Sequence, residues 1–210
     1  LAALAIGNQS LAQLREELLQ WDREFRTDSK EATLYWLFWT RLLDNIYSDE
    51  TPLPQPNDGA MYAVSLLLEE PDNAWWDDVT TPDVVETRDS ILSRSLAEAG
   101  NERYERYGKC RKCQEWGRCH TIKFTNLPIG ASGIGLIEAM VNRGPYAIPG
   151  TTETVNVAEG VDDGKVFEVK WAPCMRVVFD VGEWGNSLIN LAPGQSGHPF
   201  SRNYSDQIRP

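Results

Sequence analysis

The chain has 210 residues, of which 41% are apolar, so it can form one large globular domain or two small ones. Its net charge of -11 arises in residues 1–108, which hold 9 Lys and Arg against 21 Asp and Glu. Residues 109–210 hold 11 Lys and Arg against 10 Asp and Glu. That acidity repels phosphate backbones and anionic lipids, which excludes nucleic acid and a membrane surface as expected partners. No apolar run approaches the roughly 18 to 20 residues of a membrane-spanning helix, so we expect no membrane segment.

Two capping boxes predict where the first two helices begin. Ser10 to Gln13 and Asp28 to Glu31 each combine a side-chain oxygen with a residue three positions on that reaches back. Apolar residues recur at helical spacing behind both boxes. They are Leu11, Leu14, Leu18 and Trp21, then Leu34, Leu37, Leu42 and Ile46, widened by Trp36 and Trp39. We expect the second helix to be deeply buried.

A proline-rich connector, residues 51–56, separates these helices from two more. Residues 60–69 are predicted to form a short helix that ends before Pro71. Thr81 is predicted to cap a longer helix, with Pro82 at its first position and a stop near Gly108. The apolar positions of this helix are Val85, Leu92, Leu96 and Ala99.

The apolar pattern changes to period two in the second half, which predicts strands. The alternating residues are Phe167, Val169 and Trp171, then Met175, Val177, Phe179 and Val181. Residues 121–125, 154–157 and 187–191 are shorter strand candidates, with loops at 142–145 and 148–150 between them. We therefore predict an α+β fold in which a helical segment, 1–108, packs on a β-rich segment, 109–210, both being parts of one larger domain.

Ser196 is the first candidate for a nucleophile, because it lies in a Gly-Gln-Ser-Gly turn behind a predicted strand. The turn is not a G-x-S-x-G elbow, and no apolar-periodic helix follows it. A triad assembled in space remains an alternative. Its candidate members are Ser196, His120, His198, Asp180 and Asp206. We favour a structural turn, in which glycine supplies unusual backbone angles and the Gln and Ser side chains satisfy the backbone.

Four possible zinc ligands lie in a short window with the spacing C-x2-C-x5-C-H: Cys110, Cys113, Cys119 and His120. The window is shorter than common zinc modules, and two adjacent residues of a strand point to opposite sides. A disulfide among these cysteines and Cys174 is a second interpretation, and unpaired thiols are a third.

Aromatic and acidic pairs offer further candidates. Trp36 and Trp39 are predicted core residues, and the Trp75-Trp76 pair is predicted to anchor a loop rather than to line an acyl pocket or a sugar site. The acid pairs at 77–78 and 162–163 could bind calcium, but neither has further ligands at loop spacing, so we expect them to be solvated.

Several motifs, in one order and over nearly the whole chain, resemble the penicillin acylase family. The C-terminal motif is a strand at 186–191, the turn at 194–197, and then Ser201, Tyr204, Asp206 and Gln207. The other matching segments are Trp116 to Phe124, Asn142 to Gly150, Thr154 to Asn156, Cys174 to Asp180, Leu19 to Asp22, Ala32 to Tyr35, Trp75 to Asp78 and Thr87 to Asp89. Cys110, Cys113 and Cys119 depart from the resemblance, because family members usually carry polar or aliphatic residues there.

The resemblance implies an N-terminal-nucleophile hydrolase with an αββα sandwich that cleaves linear amides. In that family a precursor cuts itself and exposes Ser, Cys or Thr at the new N-terminus of a β chain, where its own α-amino group acts as base. Leu1 cannot do this, and the family's nucleophile, oxyanion Asn and principal calcium ligands lie upstream of the matched region. The resemblance therefore assigns no catalytic, cofactor-binding or metal-binding residue to this chain.

The leading hypothesis is the C-terminal scaffold portion of such an amidohydrolase, inactive alone. Because the chain begins at Leu1 rather than Met, we interpret it as a processed or truncated piece. The implied partners are upstream α and β polypeptide of the same precursor and a small acylated amide, with calcium bound outside this chain and a periplasmic or extracellular location. The alternative is a non-catalytic interaction or zinc-binding module organised by Cys110, Cys113, Cys119 and His120.

Overall fold

A computed structural model describes residues 1–2, 4, 7–51, 60–152, 154–162 and 167–208, with only the backbone for 161–162. The chain divides into two compact units. The first comprises residues 1–24 and 28–116, and the second residues 25–27 and 117–210. The mixture of helices and strands is the predicted α+β class. Within the described part of the chain, each helix is too short or too polar to span a bilayer.

The first unit is helical. Its elements are α1 (Gln9–Gln20), α2 (Lys30–Tyr47), α3 (Ala60–Leu67), α4 (Arg88–Tyr107) and 3-10 turns at Ala74–Trp76 and Arg111–Gln114. The predicted connector at 51–56 lies, except for its first residue, outside the described residues.

Helices α2 and α4 form the core of the first unit. The leucines and the isoleucine of the stripe predicted for α2 are buried, and the helix packs mainly against α4. Trp36 and Trp39, which were predicted core residues, are only half-buried. The buried residues are Leu34, Leu37, Leu42 and Ile46 on α2, with Ile91, Leu92, Leu96 and Ala99 on α4. Side-chain hydrogen bonds between α2 and α4 flank this core. Arg41 Nε donates to Glu102 at 2.6 Å, and the Asn45 amide donates to Ser95 Oγ at 3.0 Å. Helix α1 joins α4 through an ion pair between Glu17 and Arg103.

Both predicted helix caps are wrong by one or two residues. Helix α1 is capped by Asn8, whose side chain accepts from the backbone N–H of Ser10 at 2.8 Å, so Ser10 lies inside the helix. Helix α2 is capped by Ser29 rather than Asp28, with Ser29 Oγ accepting from Ala32 N–H at 3.1 Å. Asn and Ser are cap residues as good as those predicted, so composition alone does not choose between neighbours.

The predicted start of α4 is wrong by more than a turn, whereas its end at Gly108 is confirmed. Thr87 caps the helix, and Val85 is exposed outside it. The Thr81 hydroxyl instead donates to the carbonyl of Asp78 at 2.9 Å and lies 3.1 Å from Glu86 Oε1. Local side-chain bonds of this kind compete with helix formation.

The second unit is built on a four-stranded sheet with the order β2-β1-β4-β3. The strands are β1 (His120–Phe124), β2 (Arg143–Ala147), β3 (Glu159–Asp162) and β4 (Phe167–Trp171). β1 and β4 are parallel, and the outer pairs are antiparallel. Two helices belong to the connections: α5 (Trp116–Cys119), which begins at the last residue of the first unit, and α6 (Gly135–Val141).

Two of the predicted strands in this sheet are confirmed: the candidate at 121–125 is β1, and the alternating segment at 167–171 is β4. Phe167 and Val169 are buried as predicted, but Trp171 at the strand end is 70% exposed. The predicted strand at 154–157 is a series of bends, and the predicted loop at 142–145 enters β2. β3 and α6 were not predicted, because a Gly-containing strand of four residues and a seven-residue helix carry too few periodic positions.

A separate two-stranded sheet follows, with β5 (Met175–Val178) antiparallel to β6 (Leu188–Leu191). The prediction of strands here is confirmed, although β5 ends before Phe179 and Val181. Apolar side chains of this β5–β6 hairpin are exposed, including Met175, Val178, Leu188 and Ile189.

Candidate functional site: the C-terminal loop

The loop after β6 is fixed by the side chain and backbone of Gln207. Gln207 Oε1 accepts from the backbone N–H of Leu191 at 2.6 Å, and the Gln207 carbonyl accepts from Asn190 Nδ2 at 2.9 Å. Its backbone N–H donates to the carbonyl of Pro193 at 3.1 Å. One residue near the end of the chain therefore fastens the loop to the strand that precedes it.

The Gly-Gln-Ser-Gly turn needs its first glycine because another part of the loop passes close by. A Cβ at Gly194 would lie 2.4 Å from the carbonyl oxygen of Asn203 and 2.6 Å from Asp206 Oδ1. Ser196 closes the turn, since its N–H donates to that same Asn203 carbonyl at 3.0 Å and its Oγ accepts from His198 N–H at 3.1 Å. The Ser196 bond agrees with the predicted structural turn. The prediction that glycine supplies unusual backbone angles is wrong here, because neither Gly194 nor Gly197 has a positive φ.

Tyr204 anchors the loop in the second unit. The buried hydroxyl donates to the carbonyl of Val141, at the end of α6, at 2.7 Å, and Asn126 Nδ2 donates to it at 3.0 Å. The guanidinium carbon of Arg143 lies 4.8 Å from the centroid of the tyrosine ring, a cation–π contact. Arg143 also donates to the Pro199 carbonyl at 3.2 Å. The loop thus depends on residues from α6, β2 and the segment after β1.

The segment after β1 is itself fixed by asparagine side chains. Asn142 Oδ1 accepts from Asn126 N–H at 3.0 Å, and Asn142 Nδ2 donates to the carbonyl of Gly130 at 2.9 Å. A Cβ at Gly130 would meet Asn142 Oδ1 at 2.2 Å, so a glycine is required there. Neither Asn126 nor Gly130 was a sequence candidate, because their partners are not local: Tyr204 is 78 residues from Asn126, and Asn142 is 12 residues from Gly130.

His120 lies at the start of β1, where it is 1% exposed. Its Nδ1 is 2.9 Å from the carbonyl oxygen of Ile148, and its Nε2 is 3.0 Å from that of Ala158. Burial lowers the pKa of this imidazole below its ordinary value, although both carbonyl contacts act in the opposite direction. With both ring nitrogens directed at backbone carbonyls, His120 acts as a link between neighbouring segments.

The remaining triad candidates are also engaged in local structure. His198 Nδ1 accepts from Phe200 N–H at 3.3 Å. Asp180 closes a turn by accepting from the backbone of Gly182 and Glu183, and the hydrogen bond from Glu183 is the main cause of its lowered pKa. Asp206 lies beside Gly194. These positions favour a supporting loop over a serine triad. The side chains that the loop exposes are Gln195, His198, Phe200, Arg202 and Asp206.

The cysteine cluster does not form the alternative zinc site. Cys110 and Cys113 are joined by a disulfide in the first unit, Cys119 is buried at the end of α5, and His120 is engaged as above. Across the described ranges, no three His, Cys, Asp or Glu residues are grouped as metal ligands. The zinc-binding module is therefore not favoured.

The two tryptophans at 75–76 differ in burial, and the two acids at 77–78 are both hydrogen-bonded. Trp76 is fully buried and its indole N–H donates to the carbonyl of Glu70 at 2.9 Å, which confirms the predicted anchor, while Trp75 is 41% exposed. The prediction that Asp77 and Asp78 are solvated is wrong. Asp77 accepts from Glu86 N–H at 2.9 Å, and Asp78 accepts from Thr80 and, at 3.0 Å, from Arg94. The pair at 162–163 lies outside the described side chains.

Comparison with known proteins agrees with the resemblance seen in the sequence. The family model described as Penicillin amidase matches residues 1–210. The acyl-homoserine lactone acylase QuiP of Pseudomonas aeruginosa is 31% identical over 92% of this chain and 25% of its own length. The QuiP protein of Pseudomonas syringae pv. tomato is 33% identical over 92% of the chain and 24% of its own. The penicillin acylase 2 proenzyme of Pseudomonas sp. SE83 is 30% identical over 100% of this chain and 27% of its own length.

The relatives matched by this α+β chain and its ordered motifs are named as acylases. The chain belongs to the penicillin acylase family. It spans about a quarter of the length of the curated relatives that it matches.

Proposed function

We propose that this chain is the C-terminal scaffold portion of a penicillin-acylase-like amidohydrolase whose nucleophile lies on upstream polypeptide. The whole enzyme cleaves the linear amide of a small acylated substrate. Relatives named for acyl-homoserine lactones and for penicillin support an acyl amide as the substrate class. The proposal assigns this segment a supporting role in an αββα sandwich and no activity of its own.

The observation that carries the scaffold role is the exposed apolar surface of the β5–β6 hairpin. Met175 and Leu191 are paired, as are Val177 and Ile189, and cross-strand partners share one face of a sheet, so that face is apolar throughout. The opposite face carries the apolar pair Val178 and Leu188. A two-stranded hairpin is marginal in water, and apolar strands of this kind are typical of sheets covered by further layers. Upstream polypeptide is the proposed cover.

The candidate serine supports the same proposal. Ser196 Oγ accepts from the backbone of its own turn, and His120 is buried between two backbone carbonyls. An activated nucleophile needs a base within hydrogen-bond reach of its hydroxyl. In the proposed mechanism that base is the α-amino group of the upstream nucleophile, and this chain contributes the framework that holds the pocket.

The proposed location is periplasmic or extracellular. The disulfide between Cys110 and Cys113 supports an oxidising compartment, since cytosolic thiols are normally kept reduced. Calcium is the proposed metal of the whole enzyme. Its ligands are proposed to lie on polypeptide outside this chain, as the family resemblance implies. In support, the described residues include no group of three possible ligands, and the Asp77 and Asp78 carboxylates accept protein hydrogen bonds.

The decisive experiment compares two changes in the full-length enzyme. Chemical blocking of the upstream N-terminal nucleophile is expected to abolish turnover of an acylated amide. Ser196→Ala is expected to leave turnover in place, because Ser196 serves only its turn. Turnover that persists after blocking, or that is lost in Ser196→Ala enzyme with an unchanged thermal midpoint, contradicts the proposal.

A further inference from the structure

The proposed function leaves the disulfide between Cys110 and Cys113 without a role. The two cysteines lie in the 3-10 turn that follows α4, and both are exposed. Only two residues separate them, so the bond joins no distant elements. The chain-entropy gain from a disulfide is smallest for the shortest loops, and stabilisation of the fold is therefore a weak reason for this bond.

The turn keeps its shape through bonds that do not involve the sulfur–sulfur link. Cys113 N–H donates to the Cys110 carbonyl at 2.9 Å, and Gln114 Nε2 donates to the Gly108 carbonyl at 2.6 Å. Trp116 N–H donates to the carbonyl of Ser29 at 2.9 Å, which fastens the end of the segment. None of these bonds requires the sulfur–sulfur link, so reduction is expected to leave the Cα atoms of the two cysteines near their present separation of 5.2 Å. That separation lies in the range in which a disulfide closes without backbone movement.

The charges around the pair favour attack by an anionic thiol. Lys109, Arg111 and Lys112 are exposed, and residues 109–113 contain no acid. Cationic neighbours stabilise thiolates and attract anionic reactants. Cys113 N–H also donates to Cys110 Sγ at 3.2 Å, a contact that stabilises negative charge on this sulfur. Cys110 is therefore the better leaving group when the bond opens.

We propose that Cys110 and Cys113 form a thiol–disulfide exchange site that reacts with small anionic thiols such as glutathione. An incoming thiolate attacks Cys113 Sγ, forms a mixed disulfide and releases the Cys110 thiolate. A second thiolate then attacks the outer sulfur of the mixed disulfide and releases Cys113 and the oxidised thiol. In total, two thiols are oxidised to one disulfide, and the protein disulfide is reduced to a dithiol.

The test uses the full-length protein in a Cys174→Ser background, because Cys174 is an exposed free thiol that would react in the same assay. The folded protein is equilibrated in buffers of varied glutathione to glutathione-disulfide ratio, quenched in acid, alkylated, and mapped by mass spectrometry. We expect Cys110 and Cys113 to become alkylated together as the buffer grows reducing, with circular dichroism unchanged. A disulfide that resists reduction until denaturant is added, or reduction that unfolds the protein, overturns the proposal.

Two variants test the chemistry. In Cys110→Ser protein, Cys113 is expected to accumulate as the mixed disulfide with glutathione, because no resolving thiol remains; absence of this adduct in folded protein counts against the site. Arg111→Gln combined with Lys112→Gln is expected to slow reduction by glutathione several-fold at low salt, and the difference is expected to shrink at high salt. An unchanged rate at low salt contradicts the role of the cations.

Discussion

Close packing at single residues determines the shape of the C-terminal loop. Ser196 could be recognised as a turn residue from its flanking glycines, and the structure agrees. The role of Tyr204 could not be predicted, because its hydroxyl partners, Asn126 and the carbonyl of Val141, are 78 and 63 residues away. Sequence patterns report local geometry, whereas a buried hydroxyl finds its partners only after the chain has folded.

Gly194 provides a test at this scale. In Gly194→Ala, the new Cβ would meet the Asn203 carbonyl oxygen and Asp206 Oδ1, at 2.4 and 2.6 Å, so one strand of the loop must move. Overpacking of this kind costs about 1–3 kcal/mol. We expect a thermal midpoint lowered by several degrees and faster proteolysis within residues 194–207.

Gly197→Ala is the matched control, because no atom lies within 4 Å of the Cβ that it adds. The two glycines belong to the same turn, so a difference between the variants isolates the close approach at Gly194. Equal stability of the two variants would show that the loop does not need the contact.

Helices and strands were predictable where many periodic positions agree. α2 and α4 have apolar stripes over several turns, and both helices exist with those stripes buried. Their starting residues were not predictable, because polar side chains near each start offer competing hydrogen bonds, as Thr81 does with Glu86. The four-stranded sheet was only partly predictable, since the pairing of β1 with β4 joins segments 47 residues apart, as His120 with Phe167.

Helices α1 and α4 are linked by the ion pair between Glu17 and Arg103, whose contribution to stability can be tested. Arg103 donates to both carboxylate oxygens of Glu17, at 2.8 and 3.1 Å, and Lys30 pairs with the same group. Burial alone would raise the pKa of Glu17, but the hydrogen bonds from Arg103 and Lys30 outweigh it and lower the pKa below its ordinary value. Removing the charge in Glu17→Gln leaves Arg103 nearly buried without its partner, which costs about 2–3 kcal/mol at neutral pH.

The pH dependence has a definite sign. Because the folded pKa of Glu17 is the lower one, its contribution to stability is full above the unfolded value and is lost as the pH falls through the folded value. The thermal midpoints of wild type and Glu17→Gln are therefore expected to differ at pH 7 and to converge in acid. Glu16→Gln, one residue away on the exposed side of α1, is expected to match wild type throughout. A difference between the midpoints of wild type and Glu17→Gln that stays constant with pH would contradict a stabilising charge on Glu17.

The proposed supporting role of the whole chain depends on the exposed apolar surface of the β5–β6 hairpin. Its alternating apolar residues predicted strands correctly. Alternation of this kind is typical of a half-buried strand, yet Ile189 is 58% exposed. The proposed cover by upstream polypeptide would account for this exposure, and the relatives are about four times as long as the chain.

Ile189→Ser in the full-length enzyme tests this interpretation. If upstream polypeptide covers the hairpin, the substitution removes a core side chain, and we expect a loss of about 2–4 kcal/mol, seen as a lower thermal midpoint and reduced recovery of processed enzyme. Val155→Ser is the control, because Val155 is fully exposed in a turn between strands and surface changes usually stay within about 0.5 kcal/mol. Equal, small effects of both substitutions would mean that the hairpin faces solvent in the complete enzyme, and the scaffold role would then lose its main support.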